Sequence, residues 1–264
     1  MGHFTTDELR KSFLIENMLH PNCIYWQFTS LDDLALGGVV PCGSPINIDC
    51  STQLNEHYLV NGRELGAINI GGPGNVTVDG IEFIVKSFGC IYIGLGAENI
   101  SFASRCLHSP ARYILFSCPA GRYYPTRVMQ RDEPNAVYRG TATSANLRIS
   151  RTYIHRDGIK SCRLVMGYCE MVDGSVWNTF PPHVHSRRSE IYFYFDLNER
   201  ILMHFMGDLS KSRYLIVHNE QAVLCPPWSI HCGCGQGSYK FVWGMAGENQ
   251  EINDVDLVNP TDLR

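Results

Sequence analysis

Four absences narrow the reading before any motif is considered. No uninterrupted apolar run approaches the roughly 20 residues that a membrane helix needs, so no membrane span is expected. No acidic or basic tail is present, and charged residues are only 18% of the chain, with 22 Lys+Arg against 26 Asp+Glu and a formal charge of −4. That balance offers no electrostatic footprint for nucleic acid or an anionic membrane. The 11 cysteines are odd in number and contain no CxxC pair, which fits free thiols in a reducing compartment better than a disulfide framework. Met1–Glu8 has no basic stretch leading into an apolar one, so it does not read as a secretory signal. Met1-Gly2 with Thr6 matches a myristoylation pattern, but no basic second anchor follows. The cytoplasm is the expected compartment.

What is present is a globular composition: 264 residues, 44% of them hydrophobic. This is enough chain for two domains of about 130 residues, each with its own core. Residues 8–20 read as a short helix. After them the rhythm is that of strands. Short β-branched and aromatic runs at 66–70, 75–78, 81–85, 90–94, 100–103 and 112–117 are separated by Gly, Pro, Asn or Asp. Asp79-Gly80 is a strong two-residue hairpin signal. Residues 119–150, with Pro119, Pro125 and Pro134, read as a crossing between two halves. The rhythm then resumes at 163–168, 190–195, 201–205, 214–217, 221–224 and 239–244. An all-β chain of two consecutive antiparallel β-barrels, 1–125 and 126–264, is the expected architecture. Identity between the halves is too low to demonstrate a repeat.

The most informative segment is Pro181-Pro182-His183-Val184-His185-Ser186-Arg187-Arg188-Ser189-Glu190. On an extended strand, residues i and i+2 share a face, so His183 and His185 project side by side, close enough to reach one metal. Glu190 heads the next apolar run and can add a carboxylate oxygen. His231, in Pro226-Pro227-Trp228-Ser229-Ile230-His231, can deliver a third imidazole. Taken singly, each piece has a plainer reading as a solvated or packing residue. Taken together, HxH, a glutamate five residues on and a histidine 41 residues beyond it match the metal site of the cupin superfamily. The first half contains no HxH. His57 and His108 stand alone there, so the N-terminal barrel is expected to hold no metal.

The chain resembles the 5-keto-4-deoxyuronate isomerase family over nearly its whole length. The likeness rests on Arg63-Glu-Leu-Gly-Ala-Ile-Asn-Ile-Gly-Gly72, Thr77-Val-Asp-Gly80 and Tyr123-Tyr-Pro-Thr126 in the first half. In the second half it rests on Leu164–Gly167, Trp177–Thr179, His183–His185, Ile191–Phe195, His218–Val223, Trp228–His231 and Trp243–Gln250. The resemblance implies a double cupin and one zinc ion per subunit on His183, His185, Glu190 and His231. It also implies a homohexamer and a ketol isomerisation of a small sugar acid, a 4-deoxy-5-keto uronate from pectin or related polyuronides. Ser186 and Ser189 stand where the family pattern has Glu and Met. Cys232 and Cys234 stand where it has Ser and an apolar residue. None of these changes removes a ligand, although the two thiols are an alternative pair of zinc donors.

Such a reaction needs a proton carrier and a grip on the substrate's carboxylate. Glu248, after the strand at 239–244, and Tyr194, which shares its strand face with Tyr192 and Glu190, are the candidates for the first. Arg187 and Arg188 are the candidates for the second, since a guanidinium suits a carboxylate. Two rivals stay open: an iron- or manganese-dependent cupin oxygenase or decarboxylase, and a sugar-acid-binding cupin without catalysis.

Overall fold

The computed structural model describes residues 3–48 and 62–264. His57 and the Met1-Gly2 dipeptide lie outside the described residues. The chain forms two compact units. One comprises Met18–Asn135 and Thr152–Met166, the other Met1–Asn17, Ala136–Arg151 and Gly167–Arg264. Among the described residues there is one α-helix, Thr6–Phe13, and one 3-10 turn, Pro260–Asp262; the other elements are strands, and the pairs whose register is resolved within the sheets are antiparallel.

The helix begins at a capping box. Thr5 Oγ1 accepts from the Glu8 backbone N–H at 3.3 Å, and Thr5 N–H donates back to the Glu8 carboxylate at 2.8 Å, satisfying donors that a helix start leaves open. It stops at Phe13, well short of the expected residue 20. Leu14 and Ile15 are instead drawn into a sheet, opposite Val223 and Ala222.

The first unit has a six-stranded sheet in the order Arg127–Met129, Cys90–Ile93, Arg63–Asn69, Tyr113–Pro119, Ala35–Val39 and Ile24–Phe28. Its second sheet has four strands, Ile46–Asn47, Ile100–Ser104, Gly74–Val78 and Ile81–Val85. Asp79 and Gly80 close the hairpin between the last two with φ of 49° and 82°, the left-handed pair that a two-residue turn requires. The interior is apolar, with Leu65, Val76, Ile91, Phe102 and Leu115 in one cluster. A buried carboxylate fastens the segment 152–166 to this unit. Glu64 accepts the backbone N–H groups of Cys162, Arg163 and Leu164, each at 2.7 Å, and the Tyr92 hydroxyl at 2.7 Å.

The second unit carries a five-stranded sheet in the order Lys211–Val217, Leu202–Asp208, Ile230–Gly235, Trp177–Val184 and Asp256–Leu257. A seven-stranded sheet runs Leu14–Ile15, Gln221–Cys225, Arg188–Phe195, Lys240–Gly247, Val165–Met171, Arg148–Ile154 and Val137–Arg139. Arg188–Phe195 is buried along its full length. This explains why that strand reads as a continuous apolar and aromatic run, not an alternating one.

Candidate metal centre

The HxH pair sits at an irregularity in the strand Trp177–Val184. Asn178 is opposite Gly233 and His183 is opposite His231. Five residues on one strand therefore span two on the other, an excess of three. The cause is local. Pro181 and Pro182 have no N–H to give to the ladder, so the strand bulges where they fall. An odd excess reverses the inside–outside alternation, which brings His183 to the interior face that Asn178 already occupies. The next residues follow the bulge, and His185 lands beside His183.

Across the interior, the strand Arg188–Phe195 supplies Glu190 and the strand Ile230–Gly235 supplies His231. The four ligand atoms lie within 4.8 Å of one another. His183 Nε2 is 3.1 Å from His185 Nε2 and 3.1 Å from His231 Nε2. Glu190 Oε2 is 3.0 Å from His185 Nε2 and 3.1 Å from His231 Nε2. His185, Glu190 and His231 are buried and His183 is half-buried. Among the described residues this is the only group of three or more His, Cys, Asp or Glu side chains arranged to hold a metal.

The hydrogen bonds on the outer nitrogens show why a cation fits. His185 Nδ1 faces the Asp254 carbonyl at 3.2 Å and His231 Nδ1 faces the Ser229 carbonyl at 3.3 Å. A carbonyl only accepts, so both Nδ1 atoms carry the proton. That leaves Nε2 as the nitrogen each ring offers to a cation, and these atoms face one another and a carboxylate oxygen. A metal ion would fit among them, because donors about 2.1 Å from one cation lie roughly 3 to 3.4 Å from each other. Three imidazoles and a carboxylate suit zinc, iron or manganese alike.

The electrostatics agree. Burial disfavours the charged form of His183, and its neighbours His231 and His185 add to this, pushing the imidazole down to about 2. It is neutral and available as a ligand. Burial also opposes the charge on Glu190, but hydrogen bonds and charge from His185 and His231 outweigh it. They hold the carboxyl well below the usual carboxylate range.

The remaining candidates occupy distinct places. Tyr194 is buried deeper in the same barrel. Its hydroxyl lies 2.9 Å from His204 Nδ1 and 3.4 Å from Asn178 Nδ2, while Asn178 also donates to the Tyr239 hydroxyl at 2.8 Å. His204 Nε2 lies 3.4 Å from Cys225 Sγ. Burial, helped by His231, pushes His204 down to about 3. Glu248 is exposed and follows the strand Lys240–Gly247, its backbone N–H donating to the Arg187 carbonyl at 3.0 Å. Arg187 points to the surface and pairs with Asp254 at 2.9 Å. Arg188 is buried, with Nη2 3.0 Å from the Asp254 carbonyl and 3.3 Å from His185 Nδ1. Cys232 and Cys234 alternate with His231 and Gly233 on their strand, and neither belongs to the metal group.

Asp254 has no counterpart among the residues singled out from the sequence. It acts on His185 through a backbone carbonyl, which leaves no signature in residue type. His204 is likewise absent from the expected set. Its place on the strand beside the one that carries His231 emerges only once the sheet order is known.

A family model described as the KduI/IolB family matches residues 48–258. A curated 4-deoxy-L-threo-5-hexosulose-uronate ketol-isomerase from Halalkalibacterium halodurans is 42% identical over 262 residues, covering 99% of this chain and 95% of that protein. The protein of the same name from Formosa agariphila is 42% identical over 262 residues, covering 99% and 94%. Among solved structures, an IolB-like protein from Salmonella typhimurium superposes with a TM-score of 0.72 at 14% identity, covering 85% of this chain and 87% of that one. An oxalate decarboxylase from Lactobacillus farciminis, in complex with formate, superposes with a TM-score of 0.58 at 10% identity, covering 86% and 81%. At such identities the structural likeness speaks for the fold, and it agrees with the expected double cupin.

Proposed function

The chain belongs to the KduI/IolB family, and from that premise we propose that it is a metal-dependent ketol-isomerase. Its substrate is 5-dehydro-4-deoxy-D-glucuronate, also called 4-deoxy-L-threo-5-hexosulose uronate, and its product is 3-deoxy-D-glycero-2,5-hexodiulosonate. The observation that carries this reading is the convergence of His183, His185, Glu190 and His231 in a chain about 40% identical, end to end, to proteins named for that reaction.

The reaction turns an aldehyde–alcohol pair into an alcohol–ketone pair. The C2 proton moves to C1, and the O2 proton moves to the oxygen on C1, so no outside oxidant or reductant is needed. A cation held by these four residues would supply Lewis acidity to the reacting carbonyl. The chain's own groups do the rest. Glu190 contributes the one negative charge among the ligands. The Asp254 and Ser229 carbonyls hold two of the imidazoles in the tautomer that binds metal. Glu248, at the end of a strand that pairs directly with the ligand strand, is assigned the transfer of the carbon-bound proton. Tyr194 is a positioning residue, because its hydroxyl is engaged with His204 and Asn178. The family resemblance supports zinc as the cation, one per subunit, in a cytoplasmic homohexamer fed by pectin or related polyuronide breakdown.

Incubation of purified, metal-replete protein with the keto-deoxyuronate, followed by NMR, tests the assignment. Conversion to the 2,5-diketo acid is the expected result, and an unchanged spectrum removes the isomerase reading.

A further inference from the structure

Arg188 is 1% exposed, and its Nε and Nη1 atoms have no hydrogen-bond partner among the described residues. A buried guanidinium that leaves donors unpaired is costly, the more so because the group is charged. Its remaining nitrogen, Nη2, is satisfied by the Asp254 carbonyl. That carbonyl is shared with His185 Nδ1, so the 3.3 Å approach of Nη2 to Nδ1 is the contact of two donors on one acceptor. Arg188 thus sits directly behind a metal ligand. It is also two residues before Glu190 on the same strand, and hence on the same interior face.

Charge points the same way. With a divalent cation bound, the neutral imidazoles add nothing, Glu190 adds one negative charge and Arg188 adds one positive. The interior is left with a net excess of roughly two positive charges, which is unfavourable in a low-dielectric site unless an anion enters. The neighbouring Asp254 carboxylate offsets part of this excess, but it is itself paired with the Arg187 guanidinium and bound by Asn249.

We propose that Arg188 is the specificity determinant for an acidic substrate, binding the carboxylate through donors that the protein itself leaves unpaired. This rests on the isomerase reading, in which the carboxylate is the only ionised group that the substrate carries. Arg187, beside it in the sequence, has no such role, because its side chain is at the surface and committed to Asp254.

The test compares metal-loaded wild type, Arg188→Gln and Arg188→Lys by calorimetric titration with D-glucuronate and with D-glucose, which differ in the carboxylate. Wild type is expected to bind the acid at least about tenfold more tightly than the neutral sugar, and Arg188→Gln to reduce that preference to within about twofold. Arg188→Lys keeps the charge but loses the planar fork, and is expected to lose about tenfold in affinity for the acid with glucose binding unchanged. Metal content and circular dichroism are read on every sample. If Arg188→Gln does not fold, Arg188→Lys decides. An acid preference missing from wild type, or intact in the variant that folds, overturns the proposal. Binding requires no turnover, so a failed isomerase reading shows separately, as wild-type protein that prefers the acid yet does not convert the keto-deoxyuronate.

Discussion

His185 and Asp254 are 69 positions apart in the chain, yet the imidazole Nδ1 and the aspartate carbonyl oxygen lie 3.2 Å from each other. The contact places the ring proton on Nδ1 and leaves Nε2 for a metal. The Asp254 carboxylate in turn holds the carbonyl in place through Arg187 at 2.9 Å and Asn249 at 2.5 Å. Asp254→Ala is therefore expected to weaken metal binding about tenfold while leaving the fold intact. Competition with a chelator of known affinity measures the change, and an unaltered dissociation constant contradicts the positioning role.

A second expectation concerns pH. His204 is neutral when folded, with its pKa pushed down to about 3 by burial, whereas an unfolded histidine titrates near 6.5. Between these values the unfolded chain binds the extra proton, so the unfolding free energy falls as pH is lowered from about 6.5 toward 3. The contribution is at most about 1.4 kcal/mol per pH unit for this histidine. Denaturant titrations of wild type and His204→Gln across that range are expected to show a shallower acid decline in the variant. Parallel declines would mean that His204 is not the group responsible.

Glu64 gives a test of the other unit. Glu64→Ala strands three backbone N–H groups and the Tyr92 hydroxyl without their shared acceptor. A loss of about 3–5 kcal/mol in unfolding free energy is expected, far above the about 0–1 kcal/mol of an exposed ion pair. Denaturant unfolding reads the difference.

Much of this architecture is legible in residue order, for reasons that can be named. The hairpin at Asp79-Gly80 is visible because those two residues tolerate positive φ, and the flanking strand Ile81–Val85 falls where its β-branched run lies. The HxH spacing and Glu190 are visible because strand periodicity is short-range. What is hidden depends on partners far along the chain. The helix loses its last turns to a strand more than 200 residues away. Pro181 and Pro182 announce a break in the ladder, but the three-residue excess that turns His183 inward is set by the register with His231. Arg187 and Arg188 are equivalent as letters, and only the fold buries one and exposes the other.

The proton carrier can be tested apart from the metal. Glu248→Gln removes the carboxylate from an exposed position that is not a ligand. Its turnover number is expected to fall by about 10²–10⁴ with metal content unchanged. Wild-type turnover in this variant assigns the proton transfer to another group.

In the proposed function, three imidazoles and one carboxylate hold a single cation on which turnover depends. Elemental analysis of wild type alongside His183→Ala, Glu190→Gln and His231→Ala, paired with the NMR conversion assay on the same samples, tests it most directly. About one transition-metal ion per wild-type chain is expected, with metal and conversion lost together in all three variants. Full metal occupancy in the variants, or conversion that persists after the metal is gone, would contradict it.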